Sequence, residues 1–231
     1  MHSPFEVSCP THDPIPVLRL EPQIIGKIYS DQHEDRELVA YADVPPVLID
    51  SLIAVEDRNF FSHHGIDPKG ILRALWADLR SGDTMQGGST ITQQLVKNFF
   101  LTQERSLWRK FNEVIMSVLL EMHYSKGDIL SAYINEIYLG QRGAVGVYGF
   151  GTAAEYYYAR PLEELRVDQI ATLVGLVRGA SYYNPHKYPE RALARRNLVI
   201  QQMQDLGYLD KSVAAKALSM PLDISARPGR I

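Results

Sequence analysis

The sequence predicts a mainly α fold over about residues 45–220, preceded by a short β-leaning segment. Three observations carry this expectation. From Pro46 to Leu218 apolar residues recur three and four positions apart, in blocks of helix length. The blocks are bounded by helix signals, with proline in first turns and glycine after last turns. The chain has 231 residues and is 45% hydrophobic, enough to bury one domain with at most a small appendage.

Taken in order, residues 1–15 are punctuated by Pro4, Pro10 and Pro14, with Pro16 at the edge, and show no period. Residues 17–42 contain VLRLEPQIIGKIYS and ELVAYADV, both β-leaning, around the polar stretch DQHEDR. Residues 1–44 therefore read as a linker or short hairpin. Pro45-Pro46 suits a helix first turn, and Leu48, Leu52 and Val55 follow at helical spacing. Pro68 opens a second helix to about Arg80. Further helices are expected over about 90–100, 107–123, 128–139, 167–177, 189–206 and 211–218. Residues 140–151 read as a glycine-rich loop. That loop follows a helix rather than a strand, so it is not a dinucleotide-binding turn. The sequence has no internal repeat and no low-complexity segment.

The totals exclude several classes. Net charge is -3, so no basic field points to a nucleic acid partner. The single cysteine, Cys9, permits no internal disulfide. The longest apolar runs, such as 114–120, fall far short of the roughly 20 residues that span a bilayer. The first residues, MHSPFEVSCP, have neither the basic start nor the apolar core of a signal peptide. The chain is expected to be soluble, or a soluble piece of something larger.

Three polar clusters carry chemistry. In QGGSTITQQLVKN, Thr90 and Gln93 have the spacing of a capping box, and glycines let the backbone approach closely. Helix starts offer free N–H groups that suit phosphate, and Gln94 and Lys97 lie on one face. For this fragment alone an ordinary capped surface helix is the favoured reading. In RSLWRKFNE, Arg105, Arg109 and Glu113 share one helix face. An intrahelical ion pair accounts for them, and such pairs contribute little. Two arginines and nearby lysines around a glutamate also suit a diphosphate, because guanidinium matches phosphate oxygens. In AVEDRNFFSHHG, Glu56 ends an apolar helix. A carboxylate there is unfavourable unless paired, and its pKa is expected to rise toward general acid–base use. A salt bridge to Arg58 is the plainer alternative. Adjacent His63 and His64 do not have metal spacing, and no metal site is expected.

Two carboxylates flanking a sugar bond are the usual equipment of glycosyl chemistry, and Glu56 and Glu113 form the natural pair. A glycan hydrolase and a transferase using a sugar diphosphate both stay open. Cations around Glu113 favour the transferase, because a neutral leaving sugar needs none. A non-catalytic cell-wall-binding module is a third reading.

The segments EDRNFFSHHG, GGSTITQQLVKN, RKFNE and KGDILSAYINEIYLG resemble, in order, signature motifs of the peptidoglycan glycosyltransferases, glycosyltransferase family 51. GLVRGASYYNP resembles the fifth. The resemblance covers roughly 45–205. The lead-in resembles the linker before this domain in bifunctional class A penicillin-binding proteins of the 1B type. The resemblance implies a lysozyme-like helical lobe with a smaller membrane-facing lobe, over about 45–220. Residues 221–231 would then begin a linker to a transpeptidase domain outside this chain. No Ser-x-x-Lys acylation motif occurs. The implied activity is polymerisation of lipid II into glycan strands with inversion. Glu56 matches the base acting on the acceptor 4-hydroxyl, and Glu113 matches the glutamate assisting diphosphate departure. Ser89, Gln94, Lys97 and Arg105 match positions holding the donor's diphosphate and sugars. Asp57, Phe60, His63, Thr90, Asn98, Arg109 and Lys110 match remaining motif positions, some of them scaffold. No cofactor is required, and a divalent cation, Mg or Mn, is left open at the diphosphate. The implied partners are lipid II, the growing strand, a membrane surface and a membrane anchor beyond this chain. The implied location is the outer, periplasmic face of the bacterial cytoplasmic membrane. Two departures stand out: Ser131 where the family often has Glu, and Arg178-Gly179-Ala180 where many members have a proline-containing turn.

Among apolar and aromatic features, Ile71, Leu72, Leu75, Trp76 and Leu79 form a stripe divided evenly between core and membrane-interface readings. Phe99, Phe100, Leu101 and Trp108 are expected in the core. The runs Tyr156–Tyr158 and Tyr182-Tyr183 are expected to serve packing rather than sugar stacking.

Overall fold

The computed structural model describes residues 37–73, 88–100 and 106–225. The fold is mainly α, as expected. Its helices are α1 (Pro46–Val55), α2 (Ile91–Phe100), α3 (Leu107–His123), α4 (Lys126–Glu136), α5 (Phe150–Tyr158), α6 (Val167–Val177), α7 (Pro189–Asp205) and α8 (Lys211–Ser219). Residues 68–73 are also helical. Most of the expected 1–44 hairpin, and Leu75, Trp76, Leu79, Leu101 and Arg105, lie outside the described residues. Among the described residues no helix is long and apolar enough to cross a membrane.

Helix α6 is the hub. Its sequence VDQIATLVGLV is apolar almost all round, and every residue from Asp168 to Leu176 is buried. It packs on α7 most extensively, and also on α1. Its buried polar start is satisfied locally: the Arg166 guanidinium donates to both Asp168 oxygens at 3.0 Å, and the Thr172 hydroxyl donates to the Asp168 carbonyl. Helix α2 packs between α3 and α4. Leu48 and Leu52 of α1, Ile91 of α2, Tyr133 and Ile134 of α4 and Leu173 of α6 are fully buried in one continuous core. Each such aliphatic side chain contributes roughly 1.5–3 kcal/mol of burial free energy.

Residues 140–151 differ from the expected loop. Helix α4 stops at Glu136, where Ile137 turns extended. Strands β1 (Tyr138–Arg142) and β2 (Val145–Tyr148) then form an antiparallel hairpin, with Arg142 opposite Val145. The connection is Gly143-Ala144, with Gly143 at φ +60°, a two-residue turn of the kind that favours glycine at positive φ. Helix α5 follows at once, and eight of its nine residues are buried. Alternating Gly and Val over only four or five residues gave too weak a period to read as strands. Tyr156, Tyr157 and Tyr158 pack inside, as expected.

Residues 37–39 are pinned to this body. The Glu37 amide donates to the Thr152 hydroxyl, and Asn135 bonds both the amide and the carbonyl of Val39. Trp108 and Phe99 depart from the core expectation. Trp108 is 70% exposed and stacks on Phe111, and Phe99 is also exposed. Helix α3 turns only part of its circumference inward, so Leu107, Phe111, Ile115, Leu119 and Met122 face outward with Trp108.

Gly149 joins β2 to α5 at φ +78°, and a Cβ there would meet the Asn135 carbonyl oxygen at 2.7 Å. Gly149→Ala is expected to destabilise the fold by about 2 kcal/mol or more, read as a lower urea midpoint. An unchanged midpoint would show that this turn tolerates a side chain.

Candidate active site

The start of α2 organises the site. Thr90 caps it: its hydroxyl accepts from the Gln93 amide at 3.1 Å, while the Gln93 side chain accepts from the Thr90 amide at 3.0 Å. The Thr90 hydroxyl also donates to the Gly65 carbonyl at 2.7 Å. The Ile91 amide donates to Asp57 at 3.0 Å. The helix start is therefore closed by the protein's own groups. The reading in which its free N–H groups take a phosphate does not hold for Thr90, Ile91 and Gln93, because Asp57 and the capping box already use them.

Glu56 is the C-cap of α1, where its amide closes the helix on Leu52. Its side chain is half-buried and accepts from the Gln94 amide at 2.9 Å. The Gln94 carbonyl in turn accepts from the Tyr133 hydroxyl at 2.9 Å. Tyr133 thereby fixes which end of the amide faces the carboxylate. Burial raises the Glu56 pKa, while the Gln94 hydrogen bond and the fields of Arg195 and Arg178 oppose the rise. Arg58 does not pair with Glu56 through Nε, which donates to the Ala54 carbonyl. Glu56 shares a cleft with Asp57, Arg58, Asp67, Arg73, Ser89, Thr90, Arg178, Arg195 and Gln202.

Glu113 sits in a different setting. It is 2% exposed and held by two cations from its own helix. Arg109 donates at 3.1 Å, and the Lys110 ammonium binds the other oxygen. Lys110 also donates to the Ser89 hydroxyl at 3.0 Å, which links this cluster to the cleft wall. Lys97 and Asn98 are exposed on the last turns of α2.

Asp57, Phe60, His63 and Thr90 are all buried. His63 bonds Asp57 through Nε2 at 2.9 Å, and its Nδ1 lies 3.8 Å from Glu121. Glu121 also receives Lys126 at 2.6 Å and the Thr92 hydroxyl at 2.5 Å. Lys126 stacks over Phe60 at 4.5 Å. These polar groups support one another, so the floor under Glu56 is a satisfied network rather than an apolar one.

Sequence reasoning gave no site role to Glu121, Lys126, Tyr133, Asn135, Arg195 or Gln202. A signal for two of these was present. Ala192, Arg195, Val199 and Gln202 follow the inward i, i+3, i+7, i+10 pattern of α7, so two polar residues stand on its apolar face.

The fold is mainly helical, with one carboxylate of raised pKa in an arginine-lined cleft and a second carboxylate clamped by two cations. The chain belongs to the transglycosylase family, matching it over residues 21–204. It is 48% identical over 207 residues to penicillin-binding protein 1B of Vibrio cholerae, covering 90% of this chain and 27% of that protein. It is 52% identical over 185 residues to penicillin-binding protein 1B of Haemophilus influenzae, covering 80% and 24%. The 1B protein of Escherichia coli is 47% identical over 213 residues, covering 92% and 25%. The chain thus spans about a quarter of the length of these relatives. A crystal structure of penicillin-binding protein 1A from Haemophilus influenzae shares the fold at a TM-score of 0.50 and 24% identity, over 84% of this chain and 18% of that one.

Asp57→Ala removes the acceptor for both His63 and the Ile91 amide. It is expected to destabilise the fold by about 3 kcal/mol, because a buried partner is left unpaired. Chemical denaturation checks this, and a loss below about 1 kcal/mol would mean that the floor network re-pairs without Asp57.

Proposed function

We propose that this chain is the peptidoglycan glycosyltransferase domain of a 1B-type class A penicillin-binding protein, polymerising lipid II with inversion. The observation that carries the reading is Glu56, a carboxylate with raised pKa, aimed by Gln94 and Tyr133 in an arginine-lined cleft. Glu56 takes the proton of the acceptor's 4-hydroxyl. The hydroxyl oxygen then bonds the donor's anomeric carbon as the bond to the undecaprenyl diphosphate breaks on the opposite side. Glu113 with Arg109 and Lys110 assists that departure, and Ser89, Lys97, Asn98 and Arg105 hold the donor. The cations stabilise the diphosphate most as its charge develops, which is where rate is gained.

The exposed apolar face of α3, with Leu107 at 91% and Met122 at 73% exposure, supports a membrane surface as the place of work. The proposed setting is the periplasmic face of the cytoplasmic membrane. The transpeptidase domain and the anchor belong to the longer protein of which this chain is a part. Mg or Mn, where it assists, accompanies the diphosphate. A glycan hydrolase on the same fold explains Glu56 but gives the Arg109–Lys110 clamp on Glu113 no substrate charge to meet.

Polymerisation of fluorescent lipid II in detergent tests the reading. Native protein is expected to give lysozyme-digestible polymer, and Glu56→Gln to lower the rate by on the order of a hundredfold or more. Sugar release from finished glycan, with no polymer, would decide for the hydrolase.

The raised pKa of Glu56 adds a second prediction with a defined sign. In the folded protein Glu56 binds its proton more tightly than in the unfolded chain. Its contribution to stability is full below the ordinary carboxylate pKa of 4.5 and is lost as pH rises through the folded value. Glu56→Gln is therefore expected to be more stable than native protein at neutral pH, with the gain shrinking as pH falls through the folded value and smallest below pH 4.5. Equal stability across that range, by urea denaturation, would contradict the burial of the charge.

A further inference from the structure

Helix α7 carries two adjacent arginines with different fates. Arg196 is fully buried and fully used: it donates to the carbonyls of Leu218, Met220 and Pro221 and to the Asn197 side chain. It ties α7 to the end of α8. Arg195 turns the other way, into the cleft with Glu56. Its buried Nε–H meets no acceptor among the described residues. Gln202, seven residues on and also lining the cleft, buries an Oε1 that meets no donor. A guanidinium held for scaffold reasons would be expected to have its acceptors, as Arg196 does.

Two contacts seat Arg195. Its guanidinium lies 5.9 Å from the Tyr183 ring centre. Its stem crosses α6 at Gly175, where an added Cβ would lie 3.0 Å from the Arg195 Cγ. Glycine inside a helix is less favourable than alanine by about 1 kcal/mol, so the close crossing gives Gly175 its reason.

We propose that Arg195 is a positioning cation for Glu56, seated by Gly175 and Tyr183, whose charge offsets the burial of the base carboxylate. This rests on the reading of Glu56 as the base. The other charged or titratable groups around Glu56 are Asp57 and Arg58 beside it, Tyr133 from α4, Arg178 at the end of α6, and Asp67 and Arg73 across the cleft. Asp57 opposes ionisation and Arg178 assists it. Burial lowers the pKa of Arg195 and Glu56 raises it, the reciprocal of the same pairing.

The test is a titration of the Glu56 side-chain carbon by NMR in glutamate-labelled protein, assigned by its loss in Glu56→Gln. The Glu56 midpoint is expected to move to higher pH in Arg195→Gln and in Arg195→Met, and to stay near native in Arg195→Lys. Arg195→Met keeps the stem over Gly175, so it reports charge where Arg195→Gln fails to fold. Gly175→Ala is expected to move the midpoint in the same direction without loss of stability. A midpoint unmoved in the neutral variants overturns the proposal. Lipid II polymerisation against pH is run alongside. Its acid limb is expected to follow the NMR midpoint, with KM little changed. Native protein that fails to polymerise would count against the proposed function, while the titration still decides the role of Arg195.

Discussion

The site depends on one amide. Gln94 donates to Glu56 on α1 and accepts from Tyr133 on α4, while standing on α2 itself. Three helices are thereby referenced to a single carboxylate. A carboxylate at an apolar helix end is unfavourable to bury, and here one neutral donor and nearby guanidiniums offset part of that penalty. The offset is incomplete, so the carboxyl stays more basic than an exposed one, in keeping with the proposed role as base.

The second carboxylate shows the opposite solution. Glu113 is more buried than Glu56, yet it is gripped directly by Arg109 and Lys110. One glutamate is held by a neutral amide and the other by two cations. The Lys110–Ser89 bond joins the two environments, because Ser89 belongs to the wall of the Glu56 cleft. The Asp57–His63–Glu121–Lys126 network closes the start of α2 through the Asp57 bond to the Ile91 amide.

Much of this was legible in the sequence, for physical reasons that differ by element. The long helices showed their period, and the Thr90–Gln93 cap showed its spacing. Glu56 and Glu113 stood out because charge on a helix's apolar side or amid cations needs a reason. The β1–β2 hairpin was too short to display a period, and α5 was hidden by a glycine-rich start that resembled a loop. The Asp57 bond to the Ile91 amide spans 34 residues, and no local pattern reports it. Trp108 was misjudged because an aromatic on an amphipathic helix gives no sign of which side meets the core. Arg195 carried a readable signal, a polar residue on the inward face of α7.

The central claim is that Glu56 activates a sugar hydroxyl rather than water. The most direct measurement is the reaction of lipid II in heavy-oxygen water, followed by mass spectrometry of the products. The account predicts a polymer and a released lipid diphosphate that both lack heavy oxygen, because the acceptor's own oxygen forms the new bond. One heavy oxygen at the anomeric carbon for every diphosphate released would contradict it and make the domain a hydrolase.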